Sequence, residues 1–262
     1  MDKLKFEIRP LSDVLCKEDL RQGTGLAVQI YDLLRRRIVD LSLPPEMPLP
    51  EQDVATCLGA SKTPVREAII RLSREGLVEV VPKSGSYVTP INIDQYLQAC
   101  FIRVQLETGC IKRLAAMTLS FESLARLRAV LEEQKKAMNE NNDAEFFAMD
   151  EKFHHTLFDV AGLSRVWEAF NSAKAEIDRV RHLKRLFGVR RSESIVQEHT
   201  DIINAIANGD PSLAEKTLLA HIGGIDDEIA RISERPNLIK TIDDLNQLVA
   251  LSRKTRNKRK VA

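Results

Sequence analysis

Between Asn142 and Val160 the apolar residues Phe146, Phe153, Leu157, Phe158 and Val160 recur at helical spacing, and Asp150 and His154 fall on the same stripe, four residues apart. A carboxylate and an imidazole on the buried face of one helix are costly to leave without partners. His199 stands among Ile195, Val196, Ile202, Ile203 and Ile206, and His221 among Leu218, Ile222 and Ile225, so two further imidazoles point into an apolar interior. Taken singly, each reads as a hydrogen-bonded polar residue of a core. Together they form a donor set for a divalent cation, because imidazole and carboxylate are its natural ligands and an i, i+4 pair presents both from one helical face. Asp150, His154, His199 and His221 are therefore the candidate metal ligands, and zinc, nickel, manganese and iron all suit them. His155 and His182 lie off these stripes and read as surface residues.

A second kind of chemistry lies nearer the N-terminus. From Ser61 to Arg74, Val65, Ala68, Ile69 and Leu72 share one face, while Lys62, Thr63, Arg66 and Arg71 lie largely on others. Lys62, Thr63 and Arg66 fall in the first turn and a half, where a helix entering a DNA groove presents side chains to bases and amides to phosphate. Arg66 can donate in bidentate fashion to guanine. The alternative is that Arg66 and Glu67 are ordinary solvated helix charges.

Both groups need elements to position them. Helical spacing predicts a helix over Leu26 to Val39, Pro44, Pro45, Pro48 and Pro50 interrupt, and Glu51 to Leu58 reads as a short helix stopped by Gly59. Ser61 is placed to cap the basic helix and Gly76 to end it. Leu77 to Val81 and Ser86 to Thr89 have strand character, joined by Pro82-Lys83-Ser84-Gly85 as a hairpin with a basic tip. From Ile91 to about Glu234 the pattern is helical throughout, with Ser120 as a cap, Gly162 and Gly188 as stops, and Asp210-Pro211 opening a helix. The fold class expected is mainly α: a winged helix-turn-helix of three helices and a hairpin, then an antiparallel bundle of about six helices. The divisions are an N-terminal extension (1–25) that reads as loop, a DNA-binding domain (26–90), a helical domain (91–234), and a C-terminal extension (235–262). That last stretch carries one amphipathic helix (Ile242, Leu245, Leu248, Val249) and a frayed basic tail, Arg253 to Lys260.

Composition sets the bounds. At 262 residues, 44% hydrophobic and 29% charged, the chain has enough apolar material for two packed domains. A net charge of +1 argues against coating nucleic acid or anionic lipid by bulk charge, so DNA binding must be local. Cys16, Cys57, Cys100 and Cys110 show no paired short spacing, which suggests neither a disulfide framework nor a thiolate zinc site. No apolar run approaches the ~18 residues of a membrane span and the first eleven residues are charged, so a cytoplasmic location without membrane or leader segments is expected.

The strings Leu49-Pro50-Glu51-Gln52-Asp53-Val54-Ala55, Leu58-Gly59-Ala60-Ser61-Lys62-Thr63-Pro64-Val65-Arg66-Glu67-Ala68-Ile69 and Leu72-Ser73-Arg74-Glu75-Gly76-Leu77-Val78 resemble the DNA-binding domain of bacterial GntR-type regulators. Glu46 stands where that family has glycine, and Lys62 where arginine is usual. The resemblance implies that Arg66 and Lys62 contact bases or phosphate, supported by Gln52, Ser61 and Thr63. Lys83, Ser84 and Gly85 would form the wing tip, Gly85 allowing close approach to the DNA backbone. Arg103 to Glu107, Asp150 to His154, Glu198 to Ile206 with Gly209-Asp210, and His221 look like the FCD-type effector domain of the FadR subgroup, in its metal-binding, VanR-like branch. That resemblance implies metal ligation by the same four residues and a pocket for a small carboxylate metabolite, with Arg103 placed for the carboxylate. An ion pair with Glu107 one turn along is the competing role for Arg103.

The function expected is a dimeric, ligand-responsive regulator, a repressor, on a pseudo-palindromic operator, with no catalytic residues. Two competitors stand beside it. A three-histidine, one-aspartate site can hold a catalytic water, but only Glu198 offers an accompanying acid or base, and helical geometry points it elsewhere. The metal alone can also be the signal.

Overall fold

The structure is a computed structural model that describes residues 8–21, 25–186 and 192–258, with side chains described except at 172 and 250–258. Gly23-Thr24, the expected helix stop at Gly188 and the end of the basic tail lie outside the described residues. The chain divides into two units, one formed by residues 1–96, 175–188 and 232–262, the other by 97–174 and 189–231.

In the first unit, α1 (Leu11–Val14) and a short 3-10 turn (Lys17–Asp19) precede α2 (Leu26–Val39), α3 (Glu51–Leu58) and α4 (Lys62–Arg74). Strands β1 (Val78–Val81) and β2 (Gly85–Val88) pair antiparallel, with Val78 opposite Val88 and Val81 opposite Gly85. This is the winged helix-turn-helix expected from the sequence. Gly59, at φ 61°, turns the chain from α3 toward α4 in a conformation other residues adopt only with strain. Glu46 takes the same left-handed region, at φ 65°, without a glycine's freedom. It is held there by donating its backbone N–H to Val88 O at 2.8 Å, while Leu49 N donates to Ser86 O, so residues 46–49 edge the hairpin.

Residues 8–20 are not the loop expected of them. Val14 and Leu15 are buried in the same core as Ile30, Leu34, Val54, Leu58, Val65, Ile69 and Leu72. The segment is too short to show a period, and its two core residues are fixed by tertiary contact.

Two later helices also belong to this unit. In α9 (Ala175–Leu186), Asp178 accepts from Arg35 at 2.8 Å, and Arg35 reaches Glu75 at 3.3 Å. Tyr31 donates to the same Glu75, and burial together with that bond pushes its phenol up to about 12. Arg179, fully buried, pairs with Glu176 and donates to the carbonyls of Thr89 and Pro90 at 2.7 and 3.0 Å. In α13 (Pro236–Lys258), Asn246 accepts from Ile91 N at 2.8 Å and donates to Ile91 O at 2.9 Å. Residues 89–91 are thus held by two side chains distant in sequence. The amphipathic face of α13 buries Ile242, Leu245 and Val249, with Leu248 half-buried, and the helix continues into the stretch expected to fray.

The second unit is helical, built from α5 (Ile93–Ala116, from residue 97), α6 (Phe121–Asn139), α7 (Asp143–Val160), α8 (Ser164–Ala173), α10 (Ser192–Ala207) and α11 (Pro211–Ile222), followed by α12 (Ile225–Ser233, to residue 231). Ser120 caps α6 through Ser123 N, and Asp210 caps α11 through Ser212 N and Leu213 N ahead of Pro211, as their sequences predict. Packing of α6 on α7, α10 on α11 and α10 on α6 surrounds one interior. No helix among the described residues is long and apolar enough to cross a membrane.

Truncating Leu15 tests whether residues 8–20 are structural. Leu15→Ala should cost about 2–5 kcal/mol, the usual range for emptying a closed site. A urea midpoint equal to that of the parent chain would show the segment to be dispensable.

Candidate metal centre and nucleic-acid interface

Helix α7 buries Phe146, Asp150, Phe153, His154, Leu157 and Phe158, α10 buries Val196, His199, Ile202, Ile203 and Ile206, and α11 buries Leu218 and His221. Val160, Ile195, Ile222 and Ile225, expected on these inward faces, are only half-buried. The consequence is convergence. One donor atom from each of Asp150, His154, His199 and His221 lies within 4.8 Å of every other, and all four residues are buried. His154 Nε2 and His199 Nε2 each lie 3.2 Å from His221 Nε2, and Asp150 Oδ1 lies 3.6 Å from His199 Nε2. Phe153 stacks on the His199 ring at a centroid distance of 3.9 Å and helps fix its plane.

The opposite ring nitrogens explain the orientation. His154 Nδ1 lies 2.9 Å from Glu107 Oε2, His199 Nδ1 lies 2.8 Å from Gln134 Oε1, and His221 Nδ1 lies 2.8 Å from Glu198 Oε2. Glu198 can only accept, so His221 carries its proton on Nδ1, and with Gln134 Oε1 toward its ring His199 does the same; the Nε2 atoms of all three rings face inward. Burial, reinforced by His221, holds His199 well below the usual imidazole value. His221 is lowered too, burial outweighing the bond to Glu198. Neutral imidazole lone pairs and a carboxylate facing one point in a dry interior fit a divalent cation.

Glu198 was expected to point elsewhere, and it does not: it braces His221 from the neighbouring helix. Glu107 and Gln134 are further members of this outer ring that the sequence pattern does not assign to it. Gln134 left a signal. It is a polar residue on the inward stripe of α6 among Leu127, Val130, Leu131 and Ala137.

Arg103 makes the ion pair with Glu107 expected as its competing role. Its Nε donates to Glu107 Oε1 at 2.7 Å, and its Nη2 lies 3.1 Å from His154 Nε2. Burial would raise the Glu107 carboxyl, but Arg103 and then His154 outweigh it and hold it well below the carboxylate range. His155, its side chain 44% exposed, lies at the surface as expected and stacks on Trp167 at 5.3 Å, whereas His182 is half-buried, its Nδ1 2.6 Å from Arg185 Nη2.

On the winged unit, Gln52, Ser61, Lys62, Thr63, Arg66, Lys83, Ser84 and Gly85 are all exposed. Ser61 occupies the N-cap of α4, but its side chain makes no capping bond. Gln52 donates to Thr56 at 3.3 Å. Arg66 holds Glu51 with its fork, Nε at 2.9 and 3.1 Å and Nη2 at 2.8 Å, the bidentate geometry it would use on guanine. At the wing tip Lys83 takes φ 64° and Gly85 φ 131°. Tyr87 braces the turn, its hydroxyl 2.9 Å from Ser84 Oγ.

The Arg103–Glu107 pair, 14% and 2% exposed, is open to a direct test. Glu107→Leu leaves a cation in the interior and should cost about 3–5 kcal/mol, whereas adding Arg103→Leu should recover much of it. Equal and additive losses in urea unfolding would contradict the coupling.

Comparison with known proteins places both units. Residues 26–88 match the family described as bacterial regulatory proteins, gntR family, and residues 98–224 match the FCD domain. The chain is 32% identical over 206 residues to the HTH-type transcriptional repressor RspR of Escherichia coli K12, covering 79% of this chain and 90% of that one. It is 35% identical over 216 residues to a regulator in an unstable DNA locus of Streptomyces ambofaciens, covering 81% and 89%. Among solved structures, E. coli McbR/YncC superposes with a TM-score of 0.65 at 22% identity, over 81% of this chain and 99% of that one, a likeness of fold. A winged helix-turn-helix ahead of a helical FCD domain, with relatives of this similarity, makes the chain a member of the GntR family of bacterial transcriptional regulators.

Proposed function

We propose that this regulator is a cytoplasmic, dimeric repressor of a metabolic operon that binds a pseudo-palindromic operator and senses a small carboxylate metabolite at a metal-containing site. The observation that carries the sensing role is the convergence of three imidazole nitrogens and one carboxylate, with a guanidinium beside them. Asp150, His154, His199 and His221 would hold the divalent cation, which supplies a positive centre able to accept a carboxylate oxygen. Zinc, nickel, manganese and iron all suit the donors. Arg103 now donates to the His154 lone pair that a cation would claim. Released from it, the guanidinium is a cation held next to another, and a carboxylate between them removes the repulsion.

On the DNA side, Arg66 would exchange Glu51 for a base edge while Lys62, Thr63, Ser61 and Gln52 support the helix in the groove. Lys83, Ser84 and Gly85 would meet the backbone. Two-fold symmetry of the protein then demands two half-sites. Phe101 and Ile102 on α5 and Phe121 on α6 are exposed, an apolar surface that a second copy would cover. The link from Pro90 to Asp94 would pass the change of state, and the carboxylate can act only by its differential affinity for the two states. Glu198 on His221 favours this reading over hydrolysis, since the acid or base an enzyme would need is engaged as a brace.

Selection of genomic fragments on the purified protein at near-physiological salt should enrich one or a few pseudo-palindromic sites. Recovery of no sequence above background, with and without a panel of carboxylates, would defeat the proposal. On the selected site, Arg66→Ala should cost about 1–3 kcal/mol and relax base preference, while Lys83→Ala should mainly reduce the salt slope, by about one. Equal losses on operator and random DNA would remove Arg66 as a base reader. Operator affinity that follows free metal with no carboxylate present would favour the metal itself as signal.

A further inference from the structure

Gln134 is fully buried, and while its Oε1 faces His199 Nδ1 at 2.8 Å, its Nε2 has no hydrogen-bond partner among the described residues. That makes the brace on His199 different in kind from the other two. The carboxylates of Glu107 and Glu198 can only accept, and Glu198, bonded to His221 Nδ1, fixes one tautomer of its histidine. A carboxamide carries an acceptor and a donor on the same carbon, and a half-turn about its terminal torsion exchanges them with little change of shape.

Resting on the metal-site reading above, we propose that Gln134 is a positioning residue that switches the tautomer of His199 between metal-loaded and metal-free states. With Oε1 toward the ring, His199 keeps its proton on Nδ1 and offers the Nε2 lone pair to a cation. With Nε2 toward the ring, Gln134 donates to Nδ1, and the single ring proton resides on Nε2. No proton is gained or lost; one moves from Nδ1 to Nε2 of the same ring. The second arrangement answers a specific need of the metal-free interior. His154, His199 and His221 otherwise oppose lone pairs across 3.2 Å contacts, and an Nε2–H on His199 can donate to His221 Nε2 at 3.2 Å or toward Asp150 Oδ1 at 3.6 Å. His199 is the member of the three with an acceptor-only brace missing. The amide also leaves a carbonyl in place of an N–H as its unpartnered group, which interiors tolerate better.

Such a brace sets metal affinity below what a carboxylate would give, because loading requires the amide to turn. Gln134→Glu should lock the proton on Nδ1 and tighten zinc binding, whereas Gln134→Met should weaken it, each by about 10–100-fold, the usual range for such partners. The measurement is zinc affinity by chelator competition on the full chain, together with ¹⁵N spectra of the His199 ring in zinc-free and zinc-loaded protein. The expected result is an Nε2–H ring without zinc and an Nδ1–H ring with it, with Gln134→Glu keeping the Nδ1 proton in both. A wild-type His199 that holds its Nδ1 proton without zinc, while binding zinc normally, overturns the switch and leaves the metal site standing. Failure of the wild type to bind zinc, nickel, manganese or iron overturns both. The wild-type spectra need no variant, so misfolding of either substitution does not blunt the test.

Discussion

Neutral imidazoles and a carboxylate cannot crowd into a dry interior unless something organises their lone pairs, and the helical unit is arranged around that constraint. Asp150 and His154 share one face of α7, His199 and His221 arrive from α10 and α11, and each ring is oriented from behind by a residue on another helix or another turn. Five helices, α5, α6, α7, α10 and α11, therefore contribute to the outer ring and the donors together. The charges are balanced in the same spirit: Arg103 is set against Glu107, and Glu107 serves His154 with its other oxygen.

The winged unit depends on a different kind of fixation. Its apolar core is ordinary, but the segment that leaves it is held by polar side chains at three backbone positions. Arg179 takes the carbonyls of Thr89 and Pro90, and Asn246 satisfies both backbone groups of Ile91 as a neighbouring strand would. Backbone pairing of this sort defines direction as well as position, which loose apolar contact does not.

Much of this is legible in the residues. Helical spacing delimits α2, and proline and glycine punctuation α3, to the residue, and the polar breaks in three apolar stripes identify the four converging donors. What escapes does so for physical reasons. Val14 and Leu15 are two apolar residues in a segment with no period of its own, so only packing reveals them. Glu198 is next to His199 in sequence, yet it serves a ring on another helix, a relation that helical geometry within α10 cannot show. Gln134 was readable as a lone polar residue on an apolar stripe, but its partner lies 65 positions away.

Helix α9 lies within the span that matches the FCD domain, yet it folds with the winged unit, through Asp178 on Arg35 and Arg179 on the segment after β2. The polypeptide passes between the two units four times, near residues 96, 174, 188 and 231. A gene fusion made at the end of the winged domain would therefore not exchange a self-contained head. The donor head would need its own counterparts of Asp178 and Arg179, and a lineage that shuffles such heads must carry the α9 sequence along or rebuild its partners.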